Sequence, residues 1–182
     1  MSSRPEELSG QPFPAKLAPM LLQLCKEPFT REGWIFEPKL DGMRCIAYVE
    51  NGRARLFSKP GRDITETFPT LSKALSKQPT GVYDGEIVAH NDDGSVSFER
   101  LQGRWALLNT AEISREDRSN PVSFYAFDVL HLGADSLFRS PLLDRRNMLE
   151  SNFRRAEHVH IVEQFSDGIA HLRFAGNRSS KA

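Results

Sequence analysis

The chain has 182 residues, of which 39% are hydrophobic and 26% charged, with 24 Lys plus Arg balanced by 24 Asp plus Glu. A chain of this length buries one sizeable core, about 70% of its unfolded surface, and the composition is that of an ordinary soluble domain. Zero net charge excludes bulk basicity as the route to a nucleic-acid partner, and the apolar runs are too short to span a bilayer. Cys25 and Cys45 form no C-x-x-C pair, which fits a reducing compartment and argues against a disulfide or zinc. The five histidines show no H-E-x-x-H spacing, so any metal is expected to be held by carboxylates and phosphates.

Residues 1–15, with Ser, Gly, Gln and three prolines, read as a flexible lead-in. Met1 to Gln11 lacks the apolar core of a secretory signal, and a cytoplasmic location is expected. After the apolar patch Pro19–Cys25, the run Trp34-Ile35-Phe36 predicts a strand that delivers Glu37-Pro38-Lys39-Leu40-Asp41-Gly42-Met43-Arg44. This is a lysine on a short loop beside an acid, a glycine and an arginine. An unperturbed lysine titrates near ~10.4, so nucleophilic work at neutral pH needs a neighbouring cation, a metal or burial. The bland alternative is a solvated Asp-Gly turn.

Asn51-Gly52 between the apolar runs Arg44–Val49 and Arg53–Ser58 predicts a tight hairpin. Ser58-Lys59-Pro60-Gly61-Arg62-Asp63 makes a basic loop, and a helix follows with Pro69 in its first turn and Leu71 and Leu75 on its buried face. Gly81–Ala89 reads as a strand. Alternation places Asp84 and Glu86 on one face and Tyr83, Ile87 and Ala89 on the other. Two carboxylates on a half-buried face need a cation or hydrogen-bond donor to meet them, either arginines or a nucleotide ribose with Mg²⁺. Ser97 caps a further helix, and Val122–Leu130 is the next strand, with Phe127 either core or site. Ser140-Pro141 opens a helix in which Leu142, Leu149 and Phe153 recur while Arg145, Arg146, Arg154 and Arg155 surround them. Val159–Phe165 is a last strand, and residues 166–182 are expected to be an irregular, disordered tail.

Lys39-Leu40-Asp41-Gly42-Met43-Arg44 resembles the K-x-D-G-x-R signature of the covalent nucleotidyltransferases, which comprise ATP-dependent DNA ligases, RNA ligases and messenger-RNA capping enzymes. Asp84-Gly85-Glu86 resembles the D-G-E element of the DNA ligases. Phe124-Tyr125-Ala126-Phe127-Asp128-Val129-Leu130 resembles their Y-x-F-D-L-L element, Ser97–Arg104 is also ligase-like, and Ser58–Gly61 is similar to their S-R-x-G loop with Lys59 in place of arginine. The resemblance runs over residues 19 to 165 and is that of the adenylation domain of a compact bacterial or archaeal ATP-dependent DNA ligase.

It implies an α+β fold, an ATP-grasp-like nucleotidyltransferase core of antiparallel sheets flanked by helices, occupying residues 16–165 and incomplete at its C-terminal end. Carried over residue by residue, it makes Lys39 the nucleophile that takes AMP from ATP, with Glu37 against the adenine. Arg44 becomes a nucleotide contact, Glu86 a neighbour of the ribose and of Mg²⁺, and Phe127 a stacking platform for the base. Lys59 and Arg62 would meet the backbone of a nicked duplex DNA. The later E-G-x-V-x-K and K-x-K elements have no counterpart, Ser166-Asp167-Gly168-Ile169 being a poor stand-in. The resemblance therefore leaves room for a second polypeptide or domain that supplies them. The alternatives are a remnant that binds nucleotide or DNA without joining it, and a capping or RNA-ligase nucleotidyltransferase, which GTP preference would mark.

Overall fold

The computed structural model describes residues 13–14, 17–107 and 109–170. Its hairpin forms where the sequence placed it. Asn51 and Gly52 take positive φ values of 52° and 69°, the pair of left-handed residues a type I′ turn requires. They join β1 (Met43–Glu50) to β2 (Arg53–Ser58) with Glu50 opposite Arg53.

β3 (Gly81–Ala89) pairs with the free side of β1, and β4 (Val122–Leu132) with β3, both antiparallel. The short β5 (Asp135–Ser136) and the parallel β6 (Val159–Ile161) both join β4, giving a six-stranded sheet of order β2-β1-β3-β4-β5. The fold is thus mixed helix and antiparallel sheet, as the resemblance implied.

The alternation predicted for β3 sorts its residues onto two faces. Tyr83, Ile87 and Ala89 join the main core with Cys45, Ala47, Leu56, Phe124 and Ala126. Helices cover this face. α1 (Pro69–Leu75) starts on Pro69 at its first position and contributes Leu71 and Leu75, and Phe68 occupies the cap position with no side-chain cap bond. α2 (Phe98–Gln102) is capped by the Ser97 hydroxyl and adds Leu101. α3 (Thr110–Ser119) follows, with the Asn109 side chain accepting from the Ala111 N–H at its start. α4 (Leu142–Asn152) adds Leu149, and here the structure corrects the sequence: Leu142 is exposed, whereas Arg145 and Arg146 are buried.

The opposite face carries the smaller cluster of Ile46, Tyr48 and Val82 with Phe13, Leu17 and Phe57 against it. Phe13 falls inside the expected flexible lead-in, yet its ring lies 5.2 Å from His131 and 6.3 Å from Tyr48. The rest of that lead-in, apart from Pro14, lies outside the described residues.

The chain separates into two units, Met1–Pro19 with Leu40–Ile161, and Met20–Lys39 with Val162–Ala182. The described residues of the second unit have little regular structure. The expected strand at Trp34–Phe36 reduces to one bridge, Phe36 to Phe165, with reciprocal hydrogen bonds of 2.9 and 2.8 Å. Phe29 packs edge-on against Trp34 and Phe36, and a Cβ on Gly168 would come within 2.5 Å of the Phe36 ring. Asp167 accepts from the Thr30 hydroxyl at 2.6 Å and from the backbone of Ile169 and Ala170. The expected tail therefore begins as a packed turn through Ala170, and its remainder lies outside the described residues. Met20, Leu21, Leu22 and Leu24 are all exposed.

Candidate functional site

Arg44, Glu86 and Phe127 come together on the sheet face that the helices leave open. Arg44 stands opposite Glu86 across the β1–β3 ladder, and directly opposed residues of an antiparallel pair share a face. Gly42 brings the signature loop onto the same place. A Cβ there would lie 2.8 Å from Val88 Cγ1 and 2.9 Å from Glu86 Cγ, and would run into the Ile87 carbonyl. Only glycine lets the loop lie this close to β3, which is the physical need behind the glycine of the signature.

Phe127 owes its position to an irregularity. Asp84 pairs with Asp128 and Gly85 with Ala126, so Phe127 is the extra residue of a β-bulge, a device that re-aims a side chain next to a site. The Arg44 guanidinium lies 4.3 Å above the centre of its ring. Arg44 also forks onto Asp84, with Nε donating to Oδ1 at 2.6 Å and Nη2 to Oδ2 at 2.8 Å. Of the two readings open for the β3 acids, pairing with arginine is thus realised by Asp84.

The bulge sets two buried carboxylates, Asp84 and Asp128, face to face, an arrangement that is costly without cations. Arg145 supplies the second fork, donating to Asp128 at 2.8 and 2.7 Å and to the Ser140 carbonyl at 2.7 Å. Burial pushes the Asp84 carboxyl above its ordinary range, against the pull of Arg44. The bonds from Asp128 hold the Arg145 guanidinium above its own. Arg146, the next residue on α4, donates to the Phe127 carbonyl at 2.9 Å. Two consecutive arginines of one helix therefore hold the bulge. The sequence reading missed them as site residues; four arginines clustered around one short helix were the available signal.

Lys59 and Arg62 are exposed on a tight loop closed by Gly61, whose N–H donates to the Ser58 carbonyl at 2.7 Å and whose φ is +83°. Ser58 pairs with Cys45, so the loop leaves the sheet at the end of β1 where Arg44 stands. Lys39, exposed, and Glu37, half-buried, belong to the second unit. Lys39 precedes Gly42 by three residues.

The family model for the ATP dependent DNA ligase domain matches residues 19–170. The chain belongs to that family. It is 35% identical over 142 residues to the multifunctional non-homologous end joining protein LigD of Mycolicibacterium smegmatis, covering 76% of this chain and 17% of that protein. It is 29% identical over 164 residues to the SPbeta prophage-derived DNA ligase-like protein LigB of Bacillus subtilis, covering 90% of this chain and 57% of that one. Among solved structures, a mycobacterial DNA ligase D complexed with ATP and MES superposes with a TM-score of 0.71 at 30% identity, over 88% of this chain and 51% of that one. The chain thus spans about half the length, or less, of these relatives.

Proposed function

We propose that this chain is the lysine-bearing, nucleotide-binding part of an ATP-dependent DNA ligase, and that it acts on nicked duplex DNA. The observation that carries the reading is the bulge that brings Phe127 beside Arg44 and Glu86 on the face where Gly42 seats the signature loop. In this reading the base stacks on Phe127, with Glu37 against it, and the ribose lies by Glu86. Arg44, fixed by Asp84, directs its charge at the nucleotide.

The Lys39 amine attacks the α-phosphorus, a P–N bond forms as the bond to pyrophosphate breaks, and the lysine then carries AMP. AMP passes next to a DNA 5′-phosphate, and the 3′-hydroxyl displaces it. Lys59 and Arg62 hold the DNA backbone by charge, which makes binding fall with salt.

The residues fit the nucleotide: the approach that glycine permits at Gly42 and the half-buried carboxylate of Glu86 leave a donor and acceptor set on one face. Among the described residues no three His, Cys, Asp or Glu side chains are grouped to hold a metal. This suits Mg²⁺, which takes one or two carboxylates and completes its shell with phosphate oxygens and water. Glu86 would hold it, and bound there it would neutralise charge on the phosphates. No helix of the described residues is long and apolar enough to cross a membrane, and the free cysteines support a cytoplasmic location.

The remaining elements of the site would come from a further domain or a separate polypeptide. Incubation with α-labelled ATP or GTP and Mg²⁺, followed by denaturing electrophoresis, tests the reading. Label from ATP is expected on the parent chain and absent from Lys39→Ala and Lys39→Arg, since arginine keeps its proton in proteins. Label on Lys39→Ala would reject Lys39, and preference for GTP would move the chain to capping chemistry.

A further inference from the structure

Between Ala126 and His131 the sheet gives β4 little support. On one side β6 pairs as far as Ala126 and β5 begins at His131, so among the described residues 127–130 have no strand beside them there. On the other side the register with β3 breaks twice. His131 pairs with Val82 and Val129 with Tyr83, which leaves out Leu130; Asp128 pairs with Asp84 and Ala126 with Gly85, which leaves out Phe127. A bulged residue has no ladder partner of its own, and a backbone carbonyl left unpaired inside a protein is costly. The Leu130 carbonyl is met by the Leu137 N–H, next after β5, at 2.9 Å. The Phe127 carbonyl is met by Arg146 Nη1, also at 2.9 Å.

Arg145 and Arg146 are adjacent on α4 and only 8% and 1% exposed. Core packing would be served by aliphatic side chains without the cost of desolvating two guanidiniums. The work that needs arginine lies in what they hold. Arg145 forks onto Asp128, whose Oδ1 accepts also from the Val129 N–H at 2.8 Å. Asp128 stands opposite Asp84, which takes the Arg44 fork. The order is Arg145, Asp128, Asp84, Arg44: two neighbouring carboxylates with one cation on each flank. Without Arg145, Asp128 would stand uncompensated beside Asp84, and both would compete for Arg44. That competition draws the guanidinium off the Phe127 ring, whose centre lies 4.3 Å from it.

We propose that Arg145 and Arg146 are positioning residues for the nucleotide. Arg146 sets the Phe127 ring through the carbonyl of the bulge, and Arg145 keeps Arg44 on Asp84 by holding Asp128. This rests on the nucleotide reading of Phe127 and Arg44. The stacking platform and the guanidinium over it are then set by a helix that binds no nucleotide itself, at the one stretch of β4 that its neighbouring strands leave loose.

The test reads the Arg44 Nε–H signal of the full chain by ¹H–¹⁵N NMR, assigned with Arg44→Lys, beside ATP affinity by calorimetric titration, both well below the melting temperature of each variant. Arg145→Met is expected to shift the signal and weaken ATP about tenfold, the scale for a residue coupled to a ligand that it does not touch. Adding Asp128→Asn removes the uncompensated charge and should return both readouts toward the parent. Arg146→Met should shift the same signal through the displaced ring and weaken ATP to a similar degree, while Arg146→Lys, which keeps a donor for the carbonyl, should recover most of the loss. Arg145→Lys, which keeps the charge but not the fork, gives the same reading in smaller measure where Arg145→Met is too unstable to measure. Parent values of the Arg44 signal and of ATP affinity in the Arg145 and Arg146 variants would overturn the proposal, whatever their melting temperatures. A loss that Asp128→Asn and Arg146→Lys leave unrepaired would overturn it too, as the mark of a packing defect. ATP affinity indifferent to Phe127→Ala would instead overturn the nucleotide reading, while the Arg44 signal still decides whether α4 positions this pair.

Discussion

Arg44 answers two neighbours at once. Asp84 takes two of its N–H groups in a fork, and the Phe127 ring lies under its plane. The fork fixes the guanidinium, which a flexible ammonium could not reproduce. The ring gains a cation contact worth about 0.5 to 2 kcal/mol according to its desolvation. Phe127 is only half-buried, so its truncation removes little core. Phe127→Ala is expected to weaken ATP binding by about 1 to 3 kcal/mol, the range for one stacked base, with a small fall in Tm. Calorimetric titration beside a thermal melt checks this. A large fall in Tm with unchanged ATP affinity would make the ring a packing residue.

At the scale of elements, what was legible in the sequence is what local chemistry decides. Asn51-Gly52 needs no tertiary partner to turn the chain, and β3 shows its two faces because Tyr83, Ile87 and Ala89 alternate with acids. What was hidden depends on distant partners. Arg145 and Arg146 look like the solvated side of α4, but Asp128 and the Phe127 carbonyl draw them inward and leave Leu142 outside. The extra residue of β4 was equally hidden, because a bulge is a property of two strands and cannot be counted from one. The glycine of the signature is an element-level constraint too. Gly42→Ala would press a Cβ on the Ile87 carbonyl and lift the loop from β3. It should reduce lysine labelling strongly with a modest change in Tm, whereas unchanged labelling would show that the close approach is unnecessary.

For the whole molecule, pH acts through buried imidazoles. His131 is buried against Phe13, and neither ring nitrogen has a hydrogen-bond partner among the described residues. Burial lowers its value below the ordinary ~6.5, against the opposing pull of Asp135. Between the lowered folded value and ~6.5 the unfolded chain binds a proton that the folded chain refuses, so stability falls as pH falls through this window and levels off below it. His160, lowered by burial as well, adds to the same slope. Urea melts at stepped pH values should show the midpoint dropping on acidification below about 6.5, with a shallower drop in His131→Phe. Equal slopes for parent and variant would remove His131 from the account.

On the proposed nucleotide reading, the bulge at Phe127 also says how a binding site could be lost while a fold survives. If Phe127 were deleted, not substituted, Ala126 and Asp128 would become neighbours facing Gly85 and Asp84, and the ladder would pair one to one at that point. The ladder would lose that irregularity. Under the proposed nucleotide reading, shortening by one codon would turn a nucleotide-binding chain into a folded bystander, and a longer strand at this position would be the mark to look for when sorting working copies of the domain from silent ones.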